Sequence, residues 1–326
     1  MKTTLPWLLK REYWENRGGF LWAPAVTAGV ILLLTLMGMV VAEVFRKQFT
    51  GDIQIGISLN KLTEKLSPDD LLKLGAGLDM ALLSLSGFLQ MVLFFVVFFY
   101  LLGALYDDRR DRSVLFWKSL PISDSSMVAS KVIAAAFAAP LISTVIAMLL
   151  QLALLILLSL YVLFHGLNPF SVLWGPVSLL NVWGQMLANI PVNALWALPT
   201  IGWLLMVSSF ARSKPFLWAL LVPVAVGVLV GWFDLLSLIN VDNSAYWRHV
   251  VMRALLGVLP GSFPLHLALT DPAALVSEEQ IENIASTFGW TLMGQALTST
   301  SLWVGAVIGG AMIVVATRMR RWRDEG

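Results

Sequence analysis

The chain of 326 residues contains no cysteine and only three histidines, His165, His249 and His266, which are far apart in the sequence. The lack of cysteine excludes disulfides, a thiol nucleophile and a cysteine-based metal site. No segment matches the phosphate-binding pattern G-x-x-x-x-G-K-[ST], the zinc-binding pattern H-E-x-x-H or the nucleophile elbow G-x-S-x-G. We therefore predict that this chain has no catalytic residue, metal site or cofactor, and that it lacks a phosphate-binding loop with which to hydrolyse ATP.

Charged residues are also scarce. They make up 13% of the chain, whereas 58% of the residues are hydrophobic, and ordinary soluble domains are about 25% charged. The hydrophobic residues form runs that are long enough to cross a bilayer, which takes roughly 20 helical residues. We predict an all-α polytopic membrane protein with a single transmembrane domain over residues 1–326, surrounded by membrane lipid and without a nucleic-acid partner.

Six hydrophobic runs predict six transmembrane helices. The predicted spans are residues 20–42, 80–105, 132–163, 182–210, 216–239 and 301–317. Pro191 and Pro199 are expected to break the fourth span, because proline lacks the N–H group that a helix interior needs. Two long segments remain between the spans, 43–79 and 240–300, and they either lie on the outer leaflet or form a substrate gate.

Residues 1–19 have the composition of an amphipathic helix that lies in the membrane interface. Trp7 and Trp14 can face lipid, whereas Glu12 is expected to face water. No cleavable signal peptide is apparent, because the segment is polar and basic rather than a short apolar core. The first hydrophobic run is therefore predicted to remain as a membrane anchor.

The distribution of charge predicts the orientation. Most of the 22 Lys and Arg residues lie in the termini and in the loops 106–131 and 211–215, and acidic residues are more frequent on the other side. Because cytoplasmic loops are enriched in Lys and Arg, we predict a multi-pass protein of the bacterial inner (cytoplasmic) membrane with both termini in the cytosol. An even number of spans agrees with this topology.

Two segments carry signals for the start of a helix. Ser67 can cap a helix whose first residue is Pro68, and this helix is expected to continue into the second span. Ser277 and Gln280 have the spacing of a capping box. The helix that they start is expected to lead into the sixth span.

Ionisable residues are missing from the interiors of the predicted spans, which argues against a carrier driven by an ion gradient. Five amide side chains do lie there: that of Gln185, and the four that are candidates for a substrate path, those of Gln90, Gln151, Asn189 and Asn193. They either form hydrogen bonds between helices, worth about 0.6–2 kcal/mol each, or line a path for the substrate. Asn189 and Asn193 are four residues apart and therefore share one face of a helix.

Two pairs of glycines have the spacing that allows close packing of membrane helices, Gly227 with Gly231 and Gly305 with Gly309. Such pairs serve either contacts within one chain or the seam of a dimer. The sequence leaves both alternatives open.

The polar loop between the second and third spans is the most informative segment. It reads YDDRRDRSVLFWKSLPISD over residues 106–124 and combines many charges with the aromatic pair Phe116 and Trp117. The loop either binds a cytosolic partner or is solvated and only fixes the topology, and its aromatic side chains could also enter the lipid. Aromatic anchors are typical of protein interfaces, which favours a partner. Ser123 or Asp124 is expected to cap the next helix.

With this loop, the sequence resembles the permease subunits of ATP-binding cassette transporters of the type-2 exporter group. The resemblance is carried by LKREYWENRG at residues 9–18 and by LYDDRRDRSVLFWKSLPISD at residues 105–124, followed by Ser130 and Lys131. The six-span layout with both termini on one side agrees with it. The motifs cover two short stretches, whereas the layout covers the whole chain.

The resemblance implies that residues 112–120 form a coupling helix, which docks into a groove of a separate ATPase subunit. Phe116 and Trp117 would then be the buried anchors of this contact. The polar residues implied to contact the ATPase are Arg112, Lys118, Asp108 and Arg109, with Glu12 of the interfacial helix as a second contact.

The resemblance also implies partners and a mode of action. Two copies of the ATPase subunit would bind ATP and Mg, and a second permease subunit is expected to be identical to this chain. Closure of the ATPases would shift packed helices between two arrangements. The scarcity of charge in the spans favours an amphipathic or lipid-like cargo, such as a lipid, a peptide antibiotic or a hydrophobic drug.

Two other functions remain open from the sequence. A membrane-embedded lipid-modifying enzyme could use the one mixed charged cluster of the outer side, although a solvated loop has the same composition. The residues of this cluster are Asp234, Asp242, Arg248, His249 and Arg253. An ion-coupled secondary transporter could coordinate its ion with the backbone carbonyls of discontinuous helices.

Overall fold

The computed structural model describes residues 4–49, 67–111, 122–236, 243–259, 261–270 and 284–322, and the regular elements in these ranges are all helices. Six helical segments among them are long and apolar enough to cross a membrane. These segments are Gly18–Phe45, Lys73–Arg110, Asp124–Phe164, Leu179–Phe210, Pro215–Leu235 and Thr300–Trp322. The prediction of an all-α polytopic membrane protein with six spans is thereby confirmed.

The helices are numbered in chain order. The first half contains α1 (Thr4–Glu15), α2 (Ala23–Phe49), α3 (Pro68–Ala104), α4 (Tyr106–Arg110), α5 (Asp124–Ile133) and α6 (Ala139–Phe164). The second half contains α7 (Leu179–Phe210), α8 (Pro215–Leu235), α9 (Asn243–Tyr246), α10 (Met252–Leu255), α11 (Ser262–Thr270), α12 (Ile284–Thr298) and α13 (Thr300–Trp322). Single π-helical turns precede α2, α6, α7 and α10, at Gly18–Trp22, Ala134–Ala138, Phe170–Trp174 and Trp247–Val251.

Two helices begin where the sequence predicts them. The hydroxyl of Ser67 accepts a hydrogen bond from the N–H of Asp70, and the carboxylate of Asp70 accepts one from the N–H of Ser67. The carboxylate of Asp70 also accepts a hydrogen bond from the hydroxyl of Ser67, and the two hydrogen bonds that Ser67 donates, from its N–H and its hydroxyl, hold the pKa of Asp70 below its ordinary value. From this capping box α3 runs without a break to Ala104. The hydroxyl of Ser123 accepts a hydrogen bond from the N–H of Ser126 and thereby caps α5, so the third span begins earlier than the predicted residue 132.

The predicted break of the fourth span is wrong. Pro191 and Pro199 both lie inside the continuous helix α7. In membranes, prolines are tolerated where neighbouring groups compensate for the lost backbone hydrogen bond. Gly309 of α13 lies directly against Pro199, so the proline is buried against a neighbouring helix.

Helices α7 and α13 pack so closely that only glycine fits at the contact. A Cβ atom on Gly309 would overlap the backbone of Leu198 and Pro199, and one on Gly202 would overlap the backbone of Gly309. A Cβ atom on Gly227 would meet Tyr246 and Trp247. The glycines of both predicted pairs therefore pack within this chain.

Both ends of the bundle can be recognised from their contacts. One end holds α1, α4, the start of α5 and the last turn of α13, and we call it the terminal face; the other end is the opposite face. At the terminal half of the bundle, Phe20, Leu101, Leu204 and Leu205 are fully buried between α3, α7 and the turn that precedes α2. This core positions the polar side chains described below.

The segment between α8 and α12 enters the bundle instead of lying on its surface. The hydroxyl of Thr200, in the interior of α7, donates a hydrogen bond to the carbonyl of Arg253 at 2.7 Å and accepts one from the N–H of Gly257 at 2.9 Å. The segment around Arg253 and Gly257 is thus packed into the bundle, whereas the predicted capping box at Ser277 lies outside the described residues. The helix predicted there is interrupted at Ser299, which starts α13 as a separate helix.

Replacing Gly309 by Val is expected to destabilise the protein by at least about 1–3 kcal/mol, because the added side chain overlaps a backbone that cannot move away easily. Gly310→Val is the matched control, since a Cβ atom on Gly310 has nothing within 4 Å. Thermal unfolding in detergent should show a lower melting temperature for the first variant alone. Equal melting temperatures for the two variants would contradict the close packing of α7 and α13.

Candidate functional site

At the terminal face, the carboxylate of Glu12 is the centre of a buried polar contact. Glu12 is only 1% exposed, because α1 packs its inner side against α5. One oxygen of the carboxylate lies 3.3 Å from the ammonium group of Lys131, and the other accepts a hydrogen bond of 2.7 Å from the hydroxyl of Tyr100. The expectation that Glu12 faces water is therefore wrong, since its charge has partners on α3 and α5.

Lys131 connects Glu12 to a second carboxylate. Its side chain is 4% exposed, and the ammonium nitrogen lies 3.8 Å from an oxygen of Asp108. Arg320, near the end of α13, binds the same oxygen of Asp108 at 3.0 Å, and its Nε lies 3.3 Å from the carboxylate of Asp124. Five charged side chains thus form a continuous chain of ion pairs, which we call the charge network: Glu12, Lys131, Asp108, Arg320 and Asp124.

The charge network joins elements that are far apart in the sequence. Glu12 belongs to α1, Asp108 to α4, Lys131 and Asp124 to α5, and Arg320 to α13. Removing one partner of a buried ion pair costs about 3–5 kcal/mol, because the other charge stays buried without compensation. The network therefore favours an arrangement in which these four helices keep fixed positions relative to one another.

Arg109 fixes the same region to α7 through backbone groups. Its guanidinium donates hydrogen bonds to the carbonyls of Ser208 at 2.7 Å and of Ala211 at 3.0 Å. The hydroxyl of Ser208 donates to the carbonyl of Leu102 and accepts from the N–H groups of Leu105 and Tyr106. The junction of α3 and α4 is thereby held to the end of α7.

A cavity of about 480 Å³ lies beside the charge network. Its wall is formed on one side by Glu12, Asp108 and Lys131 and on the other by Val96 and Phe99 of α3. Helix α1 is therefore not closely packed against α3 along its whole length. Its position at the terminal face depends strongly on the polar contacts of Glu12.

The residues predicted to contact an ATPase fall into two groups. Arg112, Phe116, Trp117 and Lys118 lie outside the described residues. Asp108, Arg109 and Glu12 lie inside the fold, where each is already bound to other parts of the chain. The predicted contact of these residues with an ATPase stays a prediction.

The four amides predicted to line a substrate path fall into two groups. Gln151 is buried; it donates hydrogen bonds to Ser86 and to the carbonyl of Leu82 and accepts one from the indole of Trp183, so it joins three helices. Gln90, Asn189 and Asn193 line a cavity of about 190 Å³ between α3, α6 and α7, and Gln90 also donates a hydrogen bond of 3.4 Å to the hydroxyl of Thr144 on α6. The structure thus brings three of the four residues to one cavity.

The charged cluster considered for an enzyme is not assembled in the described part of the chain. Asp242 lies outside that part, Asp234 is exposed, and no ion pair joins Asp234 to Arg248 or Arg253 there. Arg253 is buried, with its guanidinium 3.6 Å from the centre of the Trp196 ring. Among the described residues, no group of three His, Asp or Glu side chains could hold a metal ion.

Sequence reasoning missed Lys131, Arg320 and Tyr100 as partners of Glu12 and Asp108. One local signal was present for Lys131, which stands alone among apolar neighbours such as Met127 and Val128 at the start of a long hydrophobic run. A lysine in such a position needs a buried partner. The identity of that partner depends on helices that are distant in the sequence.

No known family model, curated protein or solved structure matches the chain. The resemblance to exporter permeases therefore stays a prediction. The function has to be inferred from the charge network, the neighbouring loop and the cavities.

Replacing Lys131 by Met is expected to destabilise the protein by about 3–5 kcal/mol, because it leaves Glu12 buried without its cationic partner. The double variant Glu12→Gln/Lys131→Met should lose less stability than the sum of the two single variants, since neither charge remains. The stabilities of the two single variants and of the double variant are measured by thermal unfolding, with tryptophan fluorescence as the signal.

Arg110→Gln is the control for these variants. Arg110 pairs with Asp107 and Asp111 on the surface, where its side chain is 63% exposed, so its loss should change stability by less than about 1 kcal/mol. If Lys131→Met were as stable as Arg110→Gln, the ion pair with Glu12 would not be a buried, stabilising contact.

Proposed function

We propose that this chain is the membrane subunit of an exporter that is driven by a separate ATPase. In this proposal, the ATPase binds the segment 112–121 from the cytosol, and the chain lies in the bacterial inner membrane with its terminal face inward. The complex contains two ATPase subunits and a second, identical copy of this chain. ATP and Mg are bound by the ATPase alone.

The observation that supports the proposal most is that the charge network holds both ends of the segment 112–121. Asp108 lies before this segment and Asp124 lies after it, and both bind Arg320. A loop that only fixed the topology would not need both of its ends tied to the last helix through one buried arginine. A loop that receives force from a partner does need such anchoring.

The network also provides a route by which force could reach the spans. A displacement of the segment 112–121 acts on α3 through α4 and on α6 through α5. Arg320 extends the same displacement to α13, and Lys131 extends it to α1. Packed helices move as rigid bodies between discrete arrangements, and a ligand bound elsewhere can shift the balance between them.

The interior of the spans supports an amphipathic or lipid-like cargo. The cavity between α3, α6 and α7 combines the amides of Gln90, Asn189 and Asn193 with apolar walls that include Leu93 and Ile201. Ligand sites of this kind are mostly apolar with a few polar groups that fix the orientation of the ligand. A molecule with one polar end and one apolar end suits these walls.

The double variant Phe116→Ala/Trp117→Ala is expected to release the ATPase, because buried aromatic anchors often contribute at least about 2 kcal/mol each to an interface. The measurement is affinity purification of the tagged chain from native membranes, followed by mass spectrometry and an ATP-hydrolysis assay of the purified material. A protein with a phosphate-binding loop should co-purify with the wild-type chain and should be absent from the purified double variant.

Trp322→Ala is the matched control, since it removes an exposed aromatic side chain at the same face without touching the segment 112–121. This variant should retain the ATPase, and both variants should elute as wild type in size exclusion. Retention of the ATPase at full strength by the double variant would refute the docking of this segment.

A further inference from the structure

Two adjoining cavities lie inside the bundle and share part of their walls. The first chamber, of about 190 Å³, is the cavity beside Gln90 described above, and the second chamber, of about 200 Å³, lies between α7, α11 and α12. Leu83, Met186, Asn189 and Asn193 belong to the walls of both chambers. Together the chambers reach the lower end of the range of small-molecule sites, which is roughly 300–1,000 Å³.

The amides of Asn189 and Asn193 point to a ligand. They line both chambers, and neither forms a hydrogen bond with any part of the chain that the structure describes. Gln151, by contrast, forms hydrogen bonds with Ser86 and Trp183. The side chain of Asn193 is exposed and that of Asn189 is half-buried, so both amides are accessible to a molecule that enters the chambers. Two such amides on one helix face, both open to the same space, are therefore suited to bind the polar part of a molecule in the chambers.

Apart from the amide of Gln185, the remaining side chains in the wall of the second chamber are apolar. Its described side chains include Val192, Phe263, Leu292 and Met293. Trp196 completes the wall, with its ring in an edge-to-face contact with Phe263 at 5.1 Å between the ring centres. This surface suits a hydrocarbon or aromatic tail, and the combined volume favours one tail rather than two.

A positive charge lies directly behind this wall. The guanidinium of Arg253 stacks on the ring of Trp196, 3.6 Å from its centre, and is held by hydrogen bonds to the carbonyl and hydroxyl of Ser301, each 2.9 Å long. Arg253 forms no ion pair with a carboxylate in the described ranges, and a guanidinium stays protonated in proteins. The electrostatic potential in the second chamber is therefore positive, because the charge is buried and poorly screened.

We propose that the two chambers form a binding site within a single protomer for a single-tailed amphipathic molecule with an anionic head group. The tail packs against Trp196, Phe263 and Leu292. The head group accepts hydrogen bonds from the amides of Asn189 and Asn193, and the charge of Arg253 selects its sign. The proposal rests on the exporter function only in taking this molecule as the cargo, since the binding itself needs no ATPase.

The test is photolabelling of the purified chain in lipid nanodiscs with three probes of equal chain length. The probes are a diazirine fatty acid, the corresponding alcohol and the corresponding amine, and the labelled peptides are mapped by mass spectrometry. Labelling of the chamber walls near Met186 and Leu292 is compared with that of the exposed face of α2. Wild type should label the walls with the acid about tenfold more than with the amine, because a buried positive charge behind the chamber wall favours an anionic probe over a cationic one.

Three variants separate the contributions of charge and folding. Arg253→Gln should abolish the preference for the acid, whereas Arg248→Gln, which removes an arginine of the same segment that binds Ser244, should keep it. Asn193→Asp leaves Arg253 in place and puts a negative charge in the chambers, so it should reverse the preference toward the amine. This variant keeps the proposal testable if Arg253→Gln does not fold.

The proposal is overturned if no probe labels the chamber walls above the exposed face of α2. It is also overturned if wild type and Asn193→Asp label equally with acid and amine. The chain is tested here without an ATPase, so a negative result leaves the proposed exporter function untouched. Failure of the ATPase to co-purify would in turn leave the labelling result standing.

Discussion

The buried ion pair between Glu12 and Lys131 is the contact on which the terminal face depends. The pair lies 3.3 Å apart with both side chains almost fully excluded from solvent, and Tyr100 donates a hydrogen bond to the same carboxylate. A cavity separates part of α1 from α3, so apolar packing alone does not fix this helix. Because Lys131 also approaches Asp108, which binds Arg320, the position of α1 is coupled to that of the last helix.

The distribution of polar groups follows from the membrane as solvent. Ion pairs concentrate at the terminal face, where charges remain close to water, whereas the described interior of the spans relies on amides and hydroxyls. Arg253 and Asp79 are exceptions; Arg253 is buried against Trp196 and bound to backbone and hydroxyl oxygens, and Asp79 is buried and accepts a hydrogen bond from the N–H of Ser178. The two arrangements suggest separate roles, with the charge network proposed to transmit force and the chambers beside Asn189 and Asn193 proposed to bind the cargo.

Local sequence patterns predicted much of the fold. The features that they failed to predict depend on contacts between residues that are far apart in the sequence. Six charge-poor runs could only be membrane helices, and the caps at Ser67 and Ser123 act within one turn. The predicted break at Pro199 was wrong because α13 packs against this part of α7. The prediction that Glu12 is exposed was wrong because its partner, Lys131, belongs to another helix. The spacing of Asn189 and Asn193 predicted a shared helix face, but the chambers on that face need walls from other helices.

The proposed exporter requires that α1, the start of α5 and the end of α13 move together. Hydrogen–deuterium exchange of wild type, Lys131→Met and Arg110→Gln measures this coupling directly. Lys131→Met should lose amide protection in Thr4–Glu15, in Asp124–Ile133 and in the last turns of α13 together, while Arg110→Gln stays as protected as wild type, because one shared network stabilises all three segments. Loss of protection confined to Asp124–Ile133 alone would contradict the account, since these helices would then be held independently.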